Sequence, residues 1–177
     1  MGTNLLNIST IMQRISSLLF FLMMGTAAAS AQTQDSLLKP SPVKTISNSQ
    51  YDALMKGQDL YQMSLVADLN GYPSAQKALK YKKELGLSPA QIAALTKINT
   101  ELQRKKIEMG GFIVANEAKL DGLFQSKKVN DGDILFFANR YGLYLGELRV
   151  AILTAAYNTK LQLVPTQLQK LLAFKNE

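Results

Sequence analysis

The side chains that could carry out chemistry in this sequence are carboxylates, amines, guanidinium groups and phenols, because its 177 residues include no histidine and no cysteine. Without histidine the chain lacks the commonest general base and the commonest transition-metal ligand. Without cysteine it lacks a thiolate nucleophile and cannot form disulfides. No predicted strand precedes a glycine-rich phosphate loop. We therefore expect a binding protein rather than an enzyme, with no catalytic residues and no cofactor.

Two acidic groupings have some of the features of cation sites. Glu117 and Asp121 lie four residues apart, so a helix places both carboxylates on one face, where they would hold a cation only weakly. The segment NDGD at residues 130–133 starts like a calcium loop, but the later ligands and the terminal glutamate of an EF-hand are missing. We interpret it as a turn followed by a helix cap, and we expect no metal site.

Basic residues are the other chemically distinctive group, since the formal net charge is +7. Long-range attraction combined with nearby apolar surface would let some of them bind unfolded protein chains. The alternative is a solvated helix face with ion pairs four residues apart, such as Glu101 with Lys105. The candidates for a client-binding surface are Lys82, Lys83, Arg104, Lys105, Lys106, Arg140 and Arg149.

The N-terminus has the pattern of a signal peptide. Arg14 is followed by the apolar run LLFFLMM at residues 18–24 and by the small-residue pattern ASA at residues 29–31. The apolar run is shorter than the roughly 20 residues that a membrane-spanning helix needs. We predict that residues 1–31 are a signal peptide cleaved before Gln32. Export argues against a nucleic-acid partner despite the positive charge, and no stable membrane insertion is expected.

Behind this segment, the composition predicts two regions. Residues 32–49 are polar and contain two prolines, which indicates a flexible leader. Residues 50–177 are predicted to form a single domain in which apolar residues recur at helical rather than strand spacing, so the fold class is all-α. The first helical segments are expected at residues 51–69, where Gly57 weakens the pattern, and at about residues 73–85.

Two later helix starts share one arrangement of residues. Ser88 suits the N-cap position, Pro89 the first helical position and Gln91 the third, where its side chain completes a capping box. The segment LVPTQ at residues 163–167 repeats this arrangement, but Val164 occupies the cap position and has no side-chain oxygen. The lack of a side-chain oxygen at the cap position costs about 1 kcal/mol of local stability.

Long helices are predicted from Pro89 to about residue 124 and, after a cap at Asn130, over residues 131–162. The pair Gly110-Gly111 interrupts the first, and two glycines in a helix cost roughly 2 kcal/mol, so we expect a bend or a weak point there. The second long helix is apolar on more than one side. It must be covered on several faces, which favours a homodimer.

The segments LSPAQ at residues 87–91 and LVPTQ at residues 163–167 resemble the two LTxxQ motifs of the Spy/CpxP family of periplasmic proteins. Residues 70–73, 117–124 and 146–149 also resemble that family, so the similarity covers roughly residues 69–175. The chain departs from the family where threonine is usual, at Ser88 and Val164. The motif positions, which we interpret as structural helix caps, are Leu87, Ser88, Pro89, Gln91, Leu163, Pro165 and Gln167.

The resemblance implies a long bent helical hairpin with short flanking helices, which pairs into a cradle-shaped antiparallel dimer. It also implies an ATP-independent periplasmic chaperone that holds unfolded or misfolded envelope proteins. One alternative is a regulatory binding module for an envelope-stress sensor, as in another branch of the family. A third branch senses or buffers heavy metals through histidine-rich sites, and the lack of histidine and cysteine disfavours that function here.

Overall fold

The computed structural model describes residues 38–174 of the chain. The predicted signal peptide and residues 32–37 of the predicted leader lie outside the described residues. Within residues 38–174 the chain forms six α-helices and no β-strand, which confirms the predicted all-α fold. The helices are α1 (Asn48–Met55), α2 (Leu65–Leu69), α3 (Ala75–Lys80), α4 (Pro89–Gln125), α5 (Asp131–Leu161) and α6 (Pro165–Ala173).

Helices α4 and α5 form a hairpin around which the shorter elements pack. They contain 37 and 31 residues, and their mutual packing is the most extensive between any two of the six helices. Met109 of α4 is buried in one cluster with Leu148 and Ile152 of α5. The cap that begins α5 is the predicted one, because Asn130 and Asp133 each accept a hydrogen bond from the backbone N–H of the other. The two long helices are therefore confirmed close to their predicted bounds.

Helix α4 is continuous through Gly110 and Gly111, where a bend or weak point was expected. The two glycines have different surroundings. A Cβ atom at Gly110 would lie 2.3 Å from the backbone oxygen of Leu54 at the end of α1, whereas one at Gly111 would meet nothing within 4 Å. Gly110 therefore lets α1 lie directly against the backbone of α4, and its role is one of close packing.

The predicted leader, residues 32–49, extends too far along the chain. The compact unit that contains the helices begins at Pro40. Val43 is only 1% exposed, and Ile46 is buried with it against Ile113 of α4. Two apolar residues in a polar, proline-containing stretch have no periodicity of their own, so their burial depends on the hairpin beneath them. The domain boundary at residue 50 is thus corrected to about residue 40.

The predicted helical segment at residues 51–69 is two short helices joined by a turn. Gly57 has a φ of +63° and ends the helical path after α1, as its weakening effect on the pattern suggested. The carboxylate of Asp59 then accepts hydrogen bonds from the backbone N–H groups of Met63, at 2.8 Å, and Ser64, at 2.9 Å. These bonds stabilise the non-helical connection, which helical spacing alone did not reveal.

The predicted helix at about residues 73–85 is shorter than expected. Ser74 is its N-cap, so Pro73 lies before the helix and is not its first residue. Helix α3 ends at Lys80, and turns follow as far as Gly86, whose φ is +60°. The interruption buries Leu85 beside Leu87 and Leu95, which shows that core contacts override the helical propensity of this segment.

Candidate functional site

The first LTxxQ-like motif forms the predicted cap of α4. The backbone N–H of Gln91 donates to the Ser88 hydroxyl at 3.2 Å, and the backbone N–H of Ser88 donates to the Gln91 side-chain oxygen at 2.9 Å. Both bonds of a capping box are present, and Pro89 is the first helical residue. These contacts satisfy two backbone N–H groups at the helix start and fix the residue at which α4 begins.

The second motif forms half of the same cap. The backbone N–H of Val164 donates to the side-chain oxygen of Gln167 at 3.1 Å, and α6 begins at Pro165. Val164 itself provides no side-chain hydrogen bond, as its apolar side chain predicts. Helix α6 therefore starts with one more unsatisfied backbone N–H group than α4.

The structure brings the two motifs into direct contact. The side-chain amide of Gln91 donates to the side-chain oxygen of Gln167 and to the backbone oxygen of Gln162, both at 2.7 Å. Leu87 and Leu163 are buried beneath this contact in one core cluster. We refer to the contact as the glutamine junction. Each motif thus caps its own helix and also joins the start of α4 to the start of α6.

Sequence reasoning missed the glutamine junction because it interpreted each motif as a local helix start. The available indication was the repetition of one residue type at one position, since both Gln91 and Gln167 stand third in their helices. A side chain that accepts a hydrogen bond in its own cap still has an amide group free to donate elsewhere. The repeated pattern was therefore compatible with contact, although spacing in the sequence could not show it.

Helix α5 carries a row of exposed apolar side chains on the face directed away from α4. Spacings of seven residues, with one final spacing of four, place them on one side of the helix. Each is between 51% and 62% exposed, while Leu148 and Ile152 on the opposite face are buried. No other part of residues 38–174 covers this row. It consists of Phe136, Leu143, Val150, Tyr157 and Leu161, and we call it the apolar stripe.

Two of the predicted basic residues flank the apolar stripe. Helical geometry places Arg140 on one side of it and Arg149 on the other, and both are exposed. The Arg140 guanidinium lies 5.1 Å from the ring centre of Phe136 and 5.5 Å from that of Tyr144, distances typical of cation–π contacts. Its Nε also donates to the Tyr144 hydroxyl at 3.0 Å. The stripe thus has an arginine at each edge. Glu147, four residues after Leu143 and three before Val150, places one exposed carboxylate between its apolar side chains.

The remaining basic candidates lie elsewhere. Arg104 is held between Glu101, at 3.2 Å, and Glu108, at 3.1 Å, and Lys105 lies 3.9 Å from Glu108. The expected pairing of Glu101 with Lys105 is therefore wrong, because Arg104 takes Glu101. These residues form the solvated, ion-paired face that was the alternative to a binding surface.

The other three candidates lie outside α5, the helix that carries the stripe. Lys82 and Lys83 are exposed in the turns after α3. Lys106 is half-buried on α4, where burial lowers the pKa of its ammonium and the nearby Asp59 carboxylate acts in the opposite direction. The seven predicted residues therefore do not form one continuous surface on a single element.

The acidic residues considered as cation ligands do not converge. The Asp121 carboxylate accepts from the side chain of Gln125 at 2.5 Å, and Glu117 accepts from the Thr45 hydroxyl at 3.4 Å. Across residues 38–174, no three Asp or Glu side chains are grouped in a way that could hold a metal ion. Over the same residues, no helix is long and apolar enough to cross a membrane.

No protein-family model, curated protein or solved structure matches the chain.

Proposed function

We propose that this protein is an exported, periplasmic, ATP-independent chaperone of the Spy/CpxP type that holds unfolded or misfolded envelope proteins. The observation that carries the proposal is the apolar stripe with Arg140 and Arg149 at its edges. Unfolded chains expose apolar side chains that folded proteins bury, and such a stripe offers them a complementary surface.

The physical character of the stripe suits reversible capture. Burying a Leu or Val side chain completely contributes about 1.5–3 kcal/mol, so covering one that is already half-buried contributes about 1 kcal/mol. Several such contacts hold an unfolded segment without requiring one particular sequence. The positive charge of the chain speeds the encounter with acidic segments, because it acts over distances comparable to the Debye length.

Three further features support the proposal. The two LTxxQ-like motifs resemble those of periplasmic chaperones, and the glutamine junction shows that they act together in one structure. The N-terminal pattern supports export. A second copy of the chain is the other natural occupant of an exposed apolar helix face, so we also propose a homodimer.

Suppression of client aggregation tests this proposal. A chemically denatured client is diluted into buffer with an equimolar amount of the protein, and light scattering is followed. We expect the wild type to suppress aggregation, and the double variant Leu143→Gln/Val150→Gln to bind client roughly 30-fold more weakly because it loses about 2 kcal/mol of apolar contact. Raising the salt concentration should slow capture.

A matched control is Leu69→Gln, since Leu69 is an exposed leucine on α2, outside the stripe. This variant should suppress aggregation as well as the wild type. Failure of the wild type to suppress aggregation would overturn the proposal. An equal loss in the control and the stripe variant would show that the stripe is not the binding surface, while binding to a single saturable envelope partner would favour the regulatory module.

A further inference from the structure

A groove of about 340 Å³ lies where the segment around α1 crosses the α4–α5 hairpin. It is separate from the apolar stripe and from the glutamine junction. One part of its wall is apolar and is formed by Leu54 of α1, Ile113 of α4 and Phe137 of α5. Small-molecule sites in proteins are typically clefts of roughly 300 Å³ or more, with mainly apolar walls and a few polar groups. The groove has the size and the lining of such a site.

The polar groups of the groove include the carboxylate of Glu117, one threonine hydroxyl and two tyrosine hydroxyls. Its carboxylate accepts a hydrogen bond from the Thr45 hydroxyl at 3.4 Å, and the hydroxyls of Tyr61 and Tyr141 lie 3.2 Å apart in the same wall. Among the described residues, no Lys or Arg nitrogen lies within ion-pair distance of Glu117. The groove therefore contains a carboxylate without a cationic partner, beside two phenols.

The Tyr141 phenol remains neutral at physiological pH. Burial raises the pKa of the Tyr141 hydroxyl well above its usual value, and the hydrogen bond with Tyr61 and the negative charge of Glu117 act in the same direction. A neutral phenol offers both a donor and an acceptor, and the face of its ring attracts cations. Glu117 is the only Asp, Glu, Lys or Arg residue in the lining of the groove.

We infer that this groove binds a primary alkylammonium ion, with the ammonium on Glu117 and the hydrocarbon chain against the apolar wall. The Glu117 carboxylate would repel an anion, and a neutral molecule would leave this carboxylate without a counter-ion. A metal ion would find a single carboxylate where hard cations require several oxygen ligands. An ammonium group donates three hydrogen bonds and matches the carboxylate and the tyrosine hydroxyls together. This inference stands independently of the chaperone proposal.

The same chemistry is available from a free short-chain amine or from a lysine side chain of a polypeptide. Both present an ammonium at the end of a flexible chain of about four or five carbons, which fits the length over which a lysine buries its stem along apolar surface. The ligand class is therefore defined by charge and chain rather than by a particular molecule.

The test is a titration of the full chain, labelled with ¹⁵N, at pH 7 and constant ionic strength. The probe is n-pentylamine, and n-pentanol is the uncharged match. We expect saturable amide shifts confined to the groove, at Leu54, Tyr61 and Ala138, with a dissociation constant in the millimolar range. Pentanol should bind about tenfold or more weakly, because it lacks the charge-assisted hydrogen bond. Equal binding of pentylamine and pentanol to the wild-type protein would overturn the inference.

Two variants test the role of Glu117. Glu117→Gln keeps the size of the side chain and removes its charge, and should weaken pentylamine binding about tenfold or more. Asp121→Asn removes a carboxylate one turn further along α4, outside the groove lining, and should leave the affinity unchanged. Equal losses in both variants, or no loss in Glu117→Gln with its helical content intact, would contradict the inference.

A third probe, Nα-acetyl-lysine amide, identifies the source of the ammonium. Binding as strong as that of pentylamine supports a lysine side chain of a polypeptide as the natural ligand. Binding of pentylamine alone supports a free amine, since the groove then excludes the bulk of a peptide backbone. Both outcomes support an alkylammonium site. If neither probe binds, the inference is overturned.

Discussion

Gly110 shows how a single residue decides the packing of a helix. Replacing it by alanine adds about 1 kcal/mol of helical propensity, but the new Cβ lies 2.3 Å from the Leu54 backbone oxygen and must displace α1. We expect Gly110→Ala to reduce the free energy of unfolding by about 2 kcal/mol overall, as overpacking does in other cores. Urea unfolding followed by circular dichroism measures the change.

Gly111→Ala is the matched control for this prediction. Its Cβ would meet nothing within 4 Å, so only helical propensity acts and the protein should gain about 1 kcal/mol of stability. Opposite signs for neighbouring glycines of the same helix would establish the contact with α1. A gain in both variants would contradict it.

The sequence predicted the side-chain contacts between residues that are close together in the chain. The caps at Ser88 and Asn130 were predictable because each lies within three residues of its partner. The glutamine junction and the role of Gly110 were not, because each depends on a residue many positions away in the chain. Propensity describes Gly110 as a defect, whereas its neighbours in space explain why a side chain cannot stand there.

Val164 leaves the N-terminal cap of α6 incomplete. Helix α6 lacks the side-chain oxygen that Ser88 provides for α4, although the two starts are otherwise alike. Val164→Thr keeps a β-branched side chain of similar volume and supplies the missing acceptor at a backbone conformation already suitable for a cap. We expect thermal unfolding to show a gain of about 1 kcal/mol.

The reverse substitution tests the same reasoning. Ser88→Val should remove about 1 kcal/mol of stability by giving α4 the deficient cap of α6. No change in either variant would show that solvent satisfies these N–H groups equally well, which would contradict the prediction.

Element lengths explain which helices were predictable. Helices α4 and α5 have many turns of apolar periodicity and clear caps, so their existence and their bounds followed from the sequence. Helices α1, α2 and α3 have eight residues or fewer and are stable only through tertiary contacts. Their bounds depend on the turn at Asp59 and on the burial of Leu85, which a single sequence does not display.

At the scale of the whole molecule, the apolar stripe has two candidate occupants, a client chain and a second copy. Gly146 lies beside the stripe, between Leu143 and Val150 in sequence, and a Cβ added there would meet nothing within 4 Å. A neighbouring helix can approach most closely where side chains are absent, because interaxial distance depends on the residues at the contact. We therefore expect a second copy to pack closest at Gly146, whereas an unfolded client can adapt to the stripe without this gap.

A side chain added at Gly146 should therefore affect a second copy and a client differently. We expect sedimentation equilibrium at tens of micromolar to show a wild-type dimer, and Gly146→Leu to weaken dimerisation about tenfold or more, since the two-fold axis places the added side chain in the interface twice. Gly122→Leu, at an equally open position of α4, should leave the dimer intact. Client capture by Gly146→Leu should persist or increase, because the variant adds apolar surface and removes a competitor. A monomeric wild type would overturn the homodimer, and loss of both dimer and client capture in Gly146→Leu would show that clients bind only to the assembled pair.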